Sequence, residues 1–199
     1  MQRCLELAKK GLGATYPNPM VGSVIVHNNI IIGEGWHKEA GTPHAEVHAI
    51  QQVKNKALLK NSTIYVNLEP CNHFGKTSPC TDLIIQSKIP RVVIGSKDQN
   101  PIVAGKGIKI LQDAGCKVST GILKKESDFL NRRFFSFYNK KRPYIILKWA
   151  QTKDTFIAPI NERNKKGEIF WISNSISRQR VHQWRSEEVA ILVGVQTII

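Results

Sequence analysis

No uninterrupted apolar run in this chain is long enough to cross a bilayer, so a membrane-spanning role is not expected. Met1 to Lys10 lacks the basic start and apolar stretch of a signal peptide, so export is not expected and a reducing cytoplasm is. Acidic residues are scarce: 15 Asp and Glu face 29 Lys and Arg, a formal charge of +14. That excess falls mainly in residues 101–150, while residues 1–50 balance. Cysteine occurs four times, and Cys4 and Cys116 stand apart from the other two with no role to read. The 199 residues, 41% of them hydrophobic, suffice for one large domain or one and a fraction.

The densest basic patch is Arg132, Arg133, Lys140, Lys141 and Arg142, interleaved with Phe134, Phe135, Phe137 and Tyr138. Such a mixture serves either a nucleic-acid surface or an amphipathic helix that buries its aromatics and turns its charges to water. Charge alone leaves the substrate undecided.

His44-Ala45-Glu46 and Pro70-Cys71, followed by Cys80, read together as a catalytic zinc site. A zinc ion used for chemistry takes three protein ligands and keeps a fourth position for water. His44, Cys71 and Cys80 supply one imidazole and two thiolates, a donor set that suits zinc among the common divalent metals. Glu46, two residues past the histidine, is placed to move protons beside the metal rather than to bind it. Taken singly, a cysteine is as readily a small buried apolar group and a histidine an ordinary surface one. Four such residues in this order outweigh that. A Cys71–Cys80 disulfide is the other option, disfavoured by a reducing compartment. The pattern matches both halves of the H-x-E…P-C-x-x-C signature of zinc nucleobase deaminases, except that eight residues separate the cysteines instead of two.

Helices and strands alternate along the chain. Residues 2–12 place Leu5, Ala8 and Leu12 at helical spacing, and Val21–Val26 and Ile30–Gly33 read as strands joined at Asn28-Asn29. The pattern predicts a helix over His44–Val53, a strand over Ile64–Leu68 and a helix over Thr81–Ser87, so both sulfur ligands fall at a strand-to-helix junction. Arg91–Gly95 and Lys117–Thr120 read as strands around a helix that ends near Gly115. The alternation predicts a layered α/β domain.

Thr15-Tyr16-Pro17-Asn18-Pro19-Met20-Val21-Gly22, His44-Ala45-Glu46-Val47-His48-Ala49, the run from Glu69 to Cys80, and Asp98-Gln99-Asn100-Pro101 continuing to Gly107 resemble the deaminase domain of the bifunctional RibD family of riboflavin biosynthesis. The long cysteine interval separates that family from cytidine, deoxycytidylate and tRNA-adenosine deaminases. The resemblance implies a cytidine-deaminase-like three-layer α/β/α domain over residues 1–143. It implies Zn2+ on His44, Cys71 and Cys80, with Glu46 as the proton carrier. The implied substrate is a pyrimidine ribonucleotide, 2,5-diamino-6-ribosylamino-4(3H)-pyrimidinone 5′-phosphate, which loses its 2-amino group as ammonia. Asn18, His37, His73 and Lys76 match family positions that contact base, ribose or phosphate, and their chemistry fits: an amide pairs with a base edge, a lysine meets a phosphate. Apart from the family match, His37 and His73 read equally well as ordinary imidazoles.

After Arg142-Pro143, the segments Tyr144 to Ala150, Thr152-Lys153-Asp154, Trp171-Ile172-Ser173 and Val189 to Gly194 resemble the start of the family's second domain, an NADPH-dependent reductase of dihydrofolate-reductase-like α/β fold. By resemblance, residues 144–199 hold the N-terminal portion of that domain. Tyr144–Ala150 and Val189–Gly194 are then strands, Ala150, Trp171 and Thr197 NADP contacts, and Arg185 a substrate contact. Trp171 reads nearly as well as a core aromatic. Thr155 stands where the family usually has glycine, and the match stops short of a full reductase. About 56 residues cannot bury a nucleotide-binding core, so no independent reductase activity is expected.

Three readings follow. The first is a riboflavin-pathway deaminase acting on a small molecule, cytoplasmic and homo-oligomeric, with no membrane or nucleic-acid partner expected. The second is a tRNA-editing or nucleotide deaminase, favoured by the basic excess and opposed by the cysteine spacing. The third is a structural zinc module, which needs a fourth protein ligand from His48 or His73.

Overall fold

The computed structural model describes residues 1–74, 78–158 and 170–197. The chain divides into two units, Met1–Tyr144 and Ile145–Ile199. The first holds a five-stranded sheet in the order β2-β1-β3-β4-β5, from β1 (Gly22–His27), β2 (Ile30–Trp36), β3 (Thr63–Leu68), β4 (Arg91–Ser96) and β5 (Lys117–Thr120). β1 runs antiparallel to both β2 and β3, whereas β3, β4 and β5 are parallel. The β1–β2 hairpin closes at Asn28 and Asn29, both in the left-handed region at φ 46° and 62°. A tight hairpin requires that conformation, and Asn accepts it at small cost.

Strand periodicity sorts the side chains into two cores. Ile25, Ile64, Val66, Val92 and Ile94 point to one face, where they meet Ala49 and Ile50 of α2 (Ala45–Gln52), Ile84 of α3 (Cys80–Gln86) and Leu111 of α4 (Lys106–Asp113). Val24 points to the other face, against Cys4 and Leu7 of α1 (Gln2–Lys9). Leu5 and Ala8 of α1 meet Leu130 of α5 (Lys124–Leu130) there, with Met20 between them. The result is a three-layer α/β/α unit. α6 (Arg132–Lys140) follows α5, and it only half fulfils the amphipathic expectation. Phe135 is buried, Phe134 and Tyr138 pack on each other at 4.7 Å half-buried, and Phe137 lies exposed.

Glycines bring α2 close to the sheet. A Cβ on Gly33 would stand 2.3 Å from the Ala49 carbonyl oxygen, and one on Gly35 2.7 Å from that of Ala45. Both face the helix, so α2 settles directly on the strand backbone.

The second unit holds α7 (Ser175–Glu187), capped by Asn174 Oδ1 accepting from the Ser177 N–H at 2.8 Å, and a short 3-10 turn at Val195–Thr197. No side chain of α7 is buried. The strands expected at 144–150 and 189–194 do not form: neither segment belongs to a ladder among the described residues, and Leu147 and Leu192 are 78% and 99% exposed. An extended segment becomes a strand only through a partner's hydrogen bonds, and among the described residues these segments show no ladder partner. Thr155 adopts φ 72°, the backbone that glycine favours, inside a turn where the Thr152 N–H donates to the Phe156 carbonyl at 2.8 Å. The turn therefore keeps a glycine-like shape with a β-branched residue in it.

Candidate active site

α2 delivers two of the site residues at its first turn. His44 is the N-cap, with extended backbone at φ −73° and ψ 165°, and Glu46 lies in the first turn, buried at 3% exposure. β3 runs into Glu69-Pro70-Cys71, and Cys80 opens α3. Two bonds close the intervening loop: the Cys80 N–H donates to Cys71 Sγ at 3.4 Å and the Thr81 N–H to the Cys71 carbonyl at 3.2 Å. His44 Nδ1 then lies 3.2 Å from Cys80 Sγ and 3.4 Å from Cys71 Sγ.

These three ligand atoms fall within 4.8 Å of one another, and no fourth His, Cys, Asp or Glu joins the group among the described residues. One imidazole and two sulfurs gathered this closely fit zinc with one coordination position left over, the arrangement of a catalytic site rather than a structural one. All four cysteines are free, so Cys71 and Cys80 are thiols and not a disulfide. Hydrogen bonding from the Cys80 thiol, with help from His44, holds Cys71 below its ordinary value, while that sharing and burial hold Cys80 well above its own. His44 is raised by its hydrogen bond to Cys71. Burial raises Glu46, which increases its hold on a proton.

Asn18 and His37 come together beside this cluster. His37 packs edge-on against His44 with ring centroids 5.4 Å apart. Its Nδ1 lies 3.3 Å from the Pro43 carbonyl, an acceptor only, so Nδ1 carries the proton and Nε2 accepts from Asn18 Nδ2 at 3.1 Å. Burial lowers the His37 pKa and keeps the ring neutral. His73 is exposed in the loop after Cys71, and Lys76 lies outside the described residues.

The positions expected to serve NADPH and the second substrate all belong to the second unit. Ala150 is half-buried, Arg185 is exposed, and Trp171, also exposed, stacks under Arg178 at 4.2 Å. Thr197 ends the 3-10 turn.

Two carboxylates escaped the sequence reading. Glu69, buried at 4% exposure, accepts the backbone N–H groups of Asp98 at 3.2 Å, Gly105 at 3.0 Å and Ile108 at 3.2 Å, and so ties the start of α4 to the loop that carries Cys71. Asp98, at the end of β4, is pushed up to about 6 by burial, with Glu69 adding repulsion. The signal was a glutamate next to Pro70-Cys71 and a D-x-N-P run at a strand end.

Residues 1–96 match the cytidine and deoxycytidylate deaminase zinc-binding region. Over all 199 residues the chain is 48% identical to riboflavin biosynthesis protein RibD of Aquifex aeolicus, covering 54% of that protein. Among solved structures it is similar to RibD of Acinetobacter baumannii in its form 2, with TM-score 0.89 and 41% identity over 99% of this chain and 53% of that one. It is equally similar, at TM-score 0.89 and 44% identity over 100% of this chain and 55% of that one, to a diaminohydroxyphosphoribosylaminopyrimidine deaminase/5-amino-6-(5-phosphoribosylamino)uracil reductase of Thermotoga maritima. The chain therefore spans about half the length of the relatives it matches.

Proposed function

Because this chain belongs to the RibD family of riboflavin-biosynthesis proteins, we propose that residues 1–143 form a zinc-dependent deaminase that converts 2,5-diamino-6-ribosylamino-4(3H)-pyrimidinone 5′-phosphate to 5-amino-6-ribosylaminouracil 5′-phosphate and ammonia. The observation that carries the reading is the gathering of His44, Cys71 and Cys80 beside a buried Glu46. His44, Cys71 and Cys80 would hold a zinc ion, which when bound would supply Lewis acidity to activate water near neutral pH. Glu46 takes a proton from the attacking water and returns it to the amine nitrogen. A C–O bond forms at the amino-bearing ring carbon, the C–N bond breaks, and ammonia departs. Burial suits Glu46 to this, since a carboxylate with a raised proton affinity accepts from water more readily. Asn18, oriented by His37, pairs with the ring edge, and His73 and Lys76 reach the ribose and phosphate.

Residues 144–199 contribute to the NADPH-dependent reductase of the full-length family, with Ala150, Trp171 and Thr197 towards the cofactor and Arg185 towards substrate. The protein works in the reducing cytoplasm as a homo-oligomer. None of the relatives named above is an RNA-editing enzyme, and the basic α6 half-buries its aromatics in the manner of a packed helix. The deciding experiment is ammonia release by the zinc-loaded chain from the diaminopyrimidinone ribonucleotide, run beside cytidine and tRNA. Turnover of the ribonucleotide alone is expected; turnover of tRNA in its place overturns the assignment.

A further inference from the structure

Asn18 sits between Pro17 and Pro19, neither of which has an N–H to donate. The Asn18 N–H itself turns back to the Thr15 carbonyl at 2.7 Å. The first backbone N–H beyond Asn18 that can donate to another element is therefore that of Met20. Two buried amides from distant elements converge there. Asn131, at the α5–α6 junction and 2% exposed, accepts the Met20 N–H on Oδ1 at 2.8 Å and donates Nδ2 to the Met20 carbonyl at 3.0 Å, across 111 residues of chain. Asn67 of β3, fully buried, donates Nδ2 to the same carbonyl at 3.1 Å and accepts the Gly22 N–H at 2.7 Å. The Met20 side chain packs with Leu130, the neighbour of Asn131.

We propose that Asn131, supported by Asn67, is a positioning residue that fixes the backbone two residues beyond Asn18 and so holds the Asn18 amide against His37 at the mouth of the zinc site. The inference rests on the reading of Asn18 as a pyrimidine contact. A side-chain amide offers a donor and an acceptor side by side, and so meets both halves of a peptide group at once. A buried amide that did nothing but satisfy itself would not need a second from another element on the same carbonyl.

The test is a double-mutant cycle of Asn131→Leu with Asn18→Ala, with Asn131→Asp as a gentler variant that keeps the Oδ1 acceptor and loses the donor. Each variant is assayed with the diaminopyrimidinone ribonucleotide and observed by ¹⁵N NMR of the His37 ring at one pH. A positioning role predicts that Asn131→Leu raises KM by about tenfold, the worth of one oriented hydrogen bond, with less change in kcat. It further predicts no added rise when Asn18 is already alanine, and a His37 Nε2 signal moved to its position in Asn18→Ala. Additive effects of the two substitutions, or an unmoved His37 signal in both Asn131 variants, overturn the proposal. Should the wild-type chain leave the ribonucleotide untouched, the functional reading fails, while the His37 signal still decides whether Asn131 orients Asn18.

Discussion

Replacing Glu46 by glutamine keeps the shape of a side chain that is only 3% exposed and removes a buried carboxylate beside the ligand cluster that can take and return a proton. General acid–base catalysis contributes about 10²–10⁴-fold. Burial leaves no bulk water to take the carboxylate's place, and the group serves both water activation and amine departure, so the upper part of that range applies. We expect kcat to fall on the order of 10³–10⁴-fold, about 4–5.5 kcal/mol of transition-state stabilisation. KM should move little, because glutamine fills the same volume. Zinc content should stay at one ion per chain, since Glu46 is not among the three gathered ligands. The assay is steady-state ammonia release with metal analysis of the same preparation. Retention of more than a tenth of kcat would refute the proton role, and loss of zinc would mean that Glu46 belongs to the coordination sphere.

Removing the metal should destabilise the first unit. With free zinc at 1,000 times its dissociation constant the linkage is about 4 kcal/mol, or on the order of 10 °C in Tm for a chain of this size. Scanning calorimetry with and without chelator checks it, and an unchanged Tm on full zinc release contradicts the ligand assignment. Asp98 gives a pH dependence of definite sign. Burial pushes its carboxyl up to about 6 from an ordinary 3.8, so its contribution to stability is complete below 3.8 and is lost as pH rises through 6. Wild type should therefore lose on the order of 3 kcal/mol relative to Asp98→Asn between pH 4 and pH 8; a stability difference between the two that stays constant across that range would show that folding does not shift the group.

The first unit was largely legible in the sequence because its signals are local. Alternation marked the β strands, Asn28-Asn29 marked the hairpin, and residue type and order marked His44, Cys71 and Cys80. Long-range polar contacts were not legible. Nothing near Asn131 says that its amide closes on a backbone 111 residues earlier, because hydrogen-bond partners depend on how layers stack. The antiparallel pairing of β1 with β3 was equally hidden, since periodicity fixes which side chains share a face but not which strand lies alongside. At 144–150 and 189–194 the strands implied by the family resemblance are not seen among the described residues. Runs such as Tyr144 to Leu147 favour extended backbone, yet a ladder needs a second strand, which no single segment encodes.

Where each ligand sits in the sheet has a mechanical meaning. His44 rides on α2, which lies against β2 at the margin, whereas Cys71 follows β3 in the middle. A metal held by both is a tether between rim and centre, and edge strands are where local opening begins. When the tether is cut, the hairpin and α2 should loosen first, while β3 and β4 keep their protection against hydrogen exchange. A metal placed for chemistry would thereby also set how firmly the rim of the domain stays closed.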